Sequence, residues 1–336
     1  MAGALKPRAT GRDQAVDVAR GLAILLVVVG HNRALSSAAP ALIDALFLFH
    51  VPLFFLLSGW VQREQALAAA VVNLARRLLL PFLIAALLVG TAKVITRGGS
   101  FGDMLAGVAW ATGQTLPWSH LWFLPALFLA LSFTQILRQV PGGAPRWALA
   151  SLLALAAVFY LPLNTEPRGW PWSLDLMPQC LLFVWLGALL HDSPRLRRQL
   201  GHPLMLVAVA AVFALALRAR VDLNLRVYTP PLPATLAAIS GCVLTLAMAR
   251  GLANLRVPAA LFASMGRHTL AIFLLHVSIQ KALLGWLPTS WLTGILSAII
   301  AIACSMALSA AGQLVVARWQ DSRARDAALR TREVAT

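Results

Sequence analysis

Long apolar runs separated by short, arginine-rich polar segments dominate this chain. Ten runs stand out, near residues 16–34, 41–61, 76–96, 119–138, 147–163, 174–191, 203–219, 232–250, 265–285 and 292–316. A spanning α-helix needs about 17–25 predominantly apolar residues, and several of the runs sit at the short end of that range. The pattern predicts an all-α integral membrane protein, a bundle of about ten transmembrane helices. The segment 103–116 is apolar but short and is expected to be a re-entrant or surface piece. No soluble domain, low-complexity tract or internal repeat interrupts the pattern. Residues 1–336 are expected to form one membrane domain, with 1–15 as a cytoplasmic N-terminus and 317–336 as a basic cytoplasmic tail.

Composition agrees. Hydrophobic residues make up 60% of the chain and charged residues 12%, against roughly 25% charged in soluble domains. The formal net charge of +16 raises the question of nucleic acid, but no zinc-finger spacing or other nucleic-acid motif is present. The basic residues lie between the apolar runs, where topology places them. With the N-terminus inside and ten alternating spans, the cytoplasmic side receives Lys6, Arg8, Arg12, Arg20, Arg63, Arg76, Arg77, Arg138, Arg146, Arg195, Arg197, Arg198, Arg250, Arg256, Arg267, Arg318, Arg323, Arg325, Arg330 and Arg332. That is 20 of the 28 basic residues, an asymmetry that predicts an N-in, C-in orientation. The basic start followed by Gly21–Gly30 also has the form of a signal peptide. His31-Asn32-Arg33 is a poor approach to a cleavage site, so an uncleaved first span is expected. Cys180, Cys242 and Cys304 are far apart and odd in number, so neither a disulfide framework nor a metal site follows.

The first span carries the chemistry. It opens Asp17-Val18-Ala19-Arg20-Gly21, and ten residues separate Arg20 from His31. Eleven steps of an α-helix rotate about 1100°, within about 20° of whole turns, so the two share a face roughly 16 Å apart along the axis. Ile24 and Val27 or Val28 lie between them. A cation at the membrane surface, an apolar strip and a deep imidazole suit a long ligand with an anionic head and a reactive far end, such as acyl-coenzyme A. Arginine pairs strongly with phosphate, and neutral imidazole can take the proton of an attacking hydroxyl. Asp17, one turn earlier, is placed to orient the guanidinium. The competing explanation is a snorkelling arginine and a histidine facing the bundle core. Intramembrane ionisable residues are rare and usually functional, which favours a site.

These residues resemble the membrane acyltransferase-3 family. Asp17–His31, "DVARGLAILLVVVGH", is similar to that family's opening helix. Phe49–Trp60, "FHVPLFFLLSGW", resembles its next motif, most like the fucose 4-O-acetylase branch. Leu121–Phe128, "LWFLPALF", and Phe273–Gln280, "FLLHVSIQ", resemble two further stretches in order. The resemblance implies a ten-helix bundle in the bacterial inner membrane. It implies acetyl-CoA or another acyl-CoA as donor substrate, no tightly bound cofactor or metal, and O-acylation of a sugar, glycan or lipid-linked saccharide. Arg20 and His31 match the family's essential pair. Arg76 and Arg77, before Pro81, match its R-x-x-R pattern only in part. They are a candidate phosphate site or an ordinary positive-inside anchor.

Other polar residues sit where an acceptor site would need them. His50 and His276 are candidates to line it with His31, or to bond a neighbouring carbonyl or hydroxyl. Ser58-Gly59 suggests a close-packing point between helices, with no G-x-S-x-G elbow around Ser58. Trp122, beside His120, is a candidate sugar-stacking residue or part of an interfacial belt with Trp118, Trp170 and Trp172. His191 and His202 flank an arginine-rich loop expected to be solvated near the coenzyme. The alternative function is a transporter or flippase. Its usual intramembrane carboxylates are scarce here, since the 12 acidic residues fall mostly in loops or at span ends.

Overall fold

A computed structural model describes residues 14–161, 163, 166 and 168–333, with side chains to residue 320. The basic stretch with Lys6, Arg8 and Arg12 lies outside the described residues, as do the side chains of the tail arginines beyond Arg318.

The apolar runs become helices, with their ends set by proline, glycine and polar caps. The first three are α1 (Gln14–Gly30), α2 (Arg33–Ala38) and α3 (Pro40–Phe47). Next come α4 (His50–Val61) and α5 (Leu67–Leu74), which passes through a π-helical turn, Ala75–Leu79, into α6 (Leu80–Arg97). A short α7 (Phe101–Trp110) precedes α8 (Phe123–Arg138), α9 (Gly143–Tyr160) and α10 (Met177–Asp192). Then α11 (Pro194–Leu200) and α12 (Pro203–Leu215) lead to a two-stranded antiparallel hairpin, β1 (Arg220–Asp222) and β2 (Val227–Thr229), in which Val221 faces Tyr228. The chain finishes with α13 (Pro231–Ala253), α14 (Arg256–Arg267), α15 (Thr269–Leu284) and the 43-residue α16 (Trp291–Glu333). Proline in the first turn of α3, α6, α10, α11, α12 and α13 spends no hydrogen bond, because the first helical N–H groups have no intrahelical partner.

Among the described residues, seven helical stretches are long and apolar enough to cross a membrane, or nine if α11–α12 and α14–α15, bent by 71° and 82°, are each one broken span. The expected tenth span is α1. It has 17 helical residues, all between Gln14 and Gly30, and does not continue to 34. It is enclosed rather than lipid-facing, with Val18, Ala19, Ile24 and Val28 fully buried, and it packs against α4, α13, α14 and α15. The lipid-facing surface lies elsewhere, on residues such as Leu88, Ile95, Leu153 and Val207. The stretch 103–116 is not a span: its helix, α7, is a short element against α6.

Small residues bring the central helices together. A Cβ at Gly21 would lie 2.0 Å from the Phe262 carbonyl oxygen, and one at Gly266 would lie 2.2 Å from that of Asp17, so α1 and α14 touch backbone to backbone. The same relation joins α4 and α10, where a Cβ at Gly59 or Gly187 would meet the Val184 or Leu56 carbonyl oxygen at 1.8 or 1.9 Å. Gly59 is therefore the close-packing point that the Ser58-Gly59 pair suggested. Cys180 and Cys242 are buried free thiols, and Cys304 is a free thiol on the outer surface.

Two features depart from the sequence reading. The segment after α12, for which the apolar runs predict no element, is a hairpin, which the alternation of Val221 and Leu223 with Asp222 and Asn224 encodes only locally. The first span also breaks at His31-Asn32. Asn32, fully buried, accepts from the backbone N–H of Ala34 and Leu35 at 3.1 Å each and donates to Gly294 O and Ser297 Oγ at 2.9 Å each. One side chain thus caps α2 and ties the turn to α16.

Candidate active site

The turn that ends α1 places His31 in a cavity of about 720 Å³ running through the bundle. His31 remains in helical register, its N–H bonded to Val27 O at 3.0 Å, so the same-face relation to Arg20 survives the break. Gln280 Nε2 donates to Val28 O at 3.0 Å and ties α15 to this last turn. Protein surrounds the His31 ring, yet the ring keeps accessible surface because it faces the cavity.

The elements that line the cavity place arginine or glutamine toward one end and histidine or tryptophan toward the other. On α1, Arg20 leads to His31. On α4, running the opposite way, His50 leads to Gln62 and Arg63 just past its end. The segment before α8 supplies His120 and Trp122, and α8 itself ends near Gln135. Arg267 closes α14, and His276 lies two turns into α15. The result is one cavity with two chemically distinct ends, roughly 16 Å apart at 1.5 Å rise per residue.

The cationic end holds Arg20, Arg63, Arg76, Arg77 and Arg267. The π-helical turn Ala75–Leu79 contains Arg76 and Arg77, and both line the cavity. Pro81 follows at once and has no N–H to continue the ladder, which is where such a bulge is accommodated. The linker after α4 is held to α8 here: Gln62 Nε2 donates to Leu131 O at 2.8 Å, and Gln135 Nε2 to Gln65 O at 2.9 Å. Asp17 is buried one turn before Arg20.

The other end is a cluster of four histidines. Ring centroids lie 6.1 Å apart for His31 and His50, 6.3 Å for His31 and His120, 5.7 Å for His31 and His276, and 5.4 Å for His120 and His276. His50 Nδ1 is 2.9 Å from Leu46 O, and His276 Nδ1 is 2.9 Å from both Ile272 O and Phe273 O. A carbonyl only accepts, so Nδ1 carries the hydrogen in each ring and the neutral Nε2 presents a lone pair. Both alternatives for His50 therefore hold together: it bonds a backbone carbonyl and lines the cavity. Among the described residues no group of three or more His, Cys, Asp and Glu side chains is arranged to hold a metal ion.

Arg20, His31, His50, Ser58, Arg76, Arg77 and Trp122 all border the cavity, and His276 abuts it through His31 and His120. Trp122 is buried at 4% exposure and so is not part of an interfacial belt. Trp118 stacks on His120 at 5.8 Å. His191 and His202 are exposed and lie apart from the cavity, which corrects their expected nearness to the coenzyme site. Sequence reasoning missed Arg63, Arg267, His120, Asp222 and Asn224 as cavity residues. The arginines had a usable signal, since both fall at the same end of their spans as Arg20.

A buried cavity with a cationic end and an imidazole end thus lies inside a multi-pass helical bundle with an apolar exterior. The chain is a member of the acyltransferase-3 family: the family model described as "Acyltransferase domain" matches residues 13–312. Nodulation protein NolL of Sinorhizobium fredii (strain NBRC 101917 / NGR234) is 26% identical over 176 residues, which cover 49% of this chain and 47% of the relative. The chain thus spans about half the length of this curated relative. No solved structure matches the chain.

Proposed function

We propose that the protein is an O-acyltransferase that moves an acyl group from acyl-coenzyme A to a hydroxyl of a sugar, glycan or lipid-linked saccharide. The observation that carries this reading is the single cavity with arginines at one end and histidines at the other. Coenzyme A has phosphates at one end and a thiol at the other, joined by a long, flexible arm. Arg20, Arg76 and Arg77 supply charge-assisted hydrogen bonds to the phosphates. The arm lies along the apolar strip of Val27, Leu127 and Phe123, and the thioester reaches His31.

His31 acts as the general base. It accepts the proton of the acceptor hydroxyl as that oxygen bonds to the acyl carbon. The carbon–sulfur bond breaks, coenzyme A leaves as thiolate, and the proton passes from His31 to the sulfur. His50 and His276 hold the surrounding ring arrangement, while Ser58 and Trp122 line the acceptor's approach. Acetyl is the default group, on the second-span motif's likeness to the fucose 4-O-acetylase branch. The arginine end faces the cytoplasm of a bacterial inner membrane in an N-in, C-in topology, because that end collects the basic residues. Donor and acceptor then enter from opposite faces.

The test is transfer of labelled acetyl from acetyl-coenzyme A to envelope saccharides by the full-length protein in phospholipid vesicles. Mass spectrometry of surface glycans from a strain lacking the chain should show the loss of one acetyl mass per modified unit. No transfer and no mass change would overturn the reading.

A further inference from the structure

The β1–β2 hairpin, which nothing in the chemistry above uses, packs through β1 against α3, whose Phe47 ring lies 6.0 Å from the His31 ring. Val221, Asp222, Leu223 and Asn224 border the same cavity as His31 and His50. Asp222 is the sole carboxylate among the cavity-lining residues. The hairpin is fixed in place. Arg226 Nε donates to Asp175 Oδ2 at 2.9 Å, in an ion pair whose side chains are 4% and 2% exposed. Arg226 Nη1 donates to Asn224 O at 2.8 Å. A Cβ at Gly169 would lie 2.1 Å from the Arg226 guanidinium, and one at Gly113 would lie 1.6 Å from Asn224 Oδ1, so two loop glycines let the hairpin seat.

The balance of donors and acceptors at this end points to the ligand. Among the described residues His50 Nε2 has no hydrogen-bond partner and presents a lone pair, as does His276 Nε2 behind it. Asp222 Oδ1 accepts from Leu225 N at 3.1 Å, and a carboxylate has about four lone-pair sites, so acceptor capacity is left over. Burial raises the Asp222 carboxyl from its ordinary value, against the backbone N–H groups of Leu225 and Asn224, which favour the charge. The arginine end offers donors and takes an anion. This end offers acceptors and takes a molecule that brings several hydroxyl hydrogens.

We propose that the β1–β2 hairpin is the acceptor-binding wall of the cavity, and that the Asp222 carboxylate accepts hydroxyl hydrogens of a polyhydroxylated acceptor beside His31. This rests on the acyltransferase reading above. Asp222 is assigned to holding the acceptor, with no part in proton transfer and none in donor binding.

The experiment compares the unaltered full-length protein with Asp222→Asn and Asp222→Ala, each in phospholipid vesicles. Two quantities are measured: labelled acetyl moved from acetyl-coenzyme A to an envelope saccharide extract of a strain lacking the chain, and affinity for coenzyme A. Asn keeps an oxygen for the Leu225 N–H, so it preserves the turn while removing charge and acceptor sites. Both variants are expected to bind coenzyme A within twofold of the unaltered protein. Transfer by Asp222→Asn is expected to fall at least tenfold, with a raised apparent KM for the extract. Normal transfer by Asp222→Asn, even with an inactive Asp222→Ala, would reduce Asp222 to a turn cap and overturn the proposal. Equal loss of coenzyme A binding and transfer would also overturn it. If the unaltered protein binds coenzyme A but transfers no label, the acyltransfer reading fails first and takes this assignment with it.

Discussion

The His276 ring stands 5.7 Å from the His31 ring, although the two are 245 positions apart in the chain. His276 Nδ1 is anchored on its own helix at Ile272 O and Phe273 O, so its position is fixed by α15, and Gln280 one turn on ties that helix to Val28 O. His31 →Ala should therefore remove a base from a site whose walls stay in place. Transfer of acetyl is expected to fall by at least about 100-fold, the scale of general-base catalysis, with thermal stability of the vesicle-embedded protein little changed. Normal transfer would exclude His31 as the base.

Arg20 borders the cavity one cavity length from His31. Arg20→Ala is expected to raise the apparent KM for acetyl-coenzyme A by about 10- to 100-fold, since hydrogen bonds to charged groups contribute about 1.5–3 kcal/mol. Arg20→Lys should recover only part of this, because an ammonium lacks the bidentate fork. Arg76→Ala and Arg77→Ala share one π-helical turn, and their double variant should cost more than either alone. An unchanged donor KM in all of these would remove the phosphate role.

Asn32 makes four hydrogen bonds from a fully buried side chain. Replacing it with Leu would leave the N–H groups of Ala34 and Leu35 and the Gly294 carbonyl without that partner. The expected cost is about 1–3 kcal/mol for each buried group left unsatisfied, read as a lowered unfolding temperature. Unaltered stability would show that the turn after His31 is held by other means.

Gly187 of α10 sits where a Cβ would lie 1.9 Å from Leu56 O, a backbone atom that cannot swing aside. Gly187→Val should force α4 and α10 apart, at a cost of about 1–3 kcal/mol or more for overpacking, and should lower the yield of folded protein. Gly251→Ala, where nothing lies within 4 Å of the added Cβ, is the matched control and should be harmless. Equal behaviour of the two variants would contradict the close packing.

Removing one partner of a buried ion pair costs about 3–5 kcal/mol, so Arg226→Met should loosen the hairpin over Asp175. Hydrogen exchange at Val221 and Tyr228 is expected to rise, while exchange in α1 and α10 stays slow. Unchanged protection at the hairpin would mean that Arg226 does not hold it.

Much of the fold was written along the chain. Each of the ten apolar runs corresponds to a helix, a joined pair or a bent pair, because a backbone in hydrocarbon must satisfy its own hydrogen bonds and helices do so locally. The Arg20–His31 spacing needed only the helical repeat. The sequence could not show that His31 sits at a break, because the signal is Asn32, whose capping bonds also require Gly294 and Ser297 from α16. Nor could it separate His120 from an interfacial residue, or link Asp222 to His50, since both relations depend on how distant elements pack.

What the sequence determined by itself is the class of the protein and one face of one helix: hydropathy, charge asymmetry and the 3.6-residue repeat are local properties. What only the tertiary structure decided is the cavity. Four histidines from four segments meet at one end, and five arginines meet at the other. That meeting depends on Gly21, Gly59, Gly187 and Gly266 letting helices approach to backbone contact, and the segment Ala75–Leu79 brings Arg76 and Arg77 to the same space. Contacts of that kind are long-range, and their energy resides in packing that no stretch of sequence contains alone.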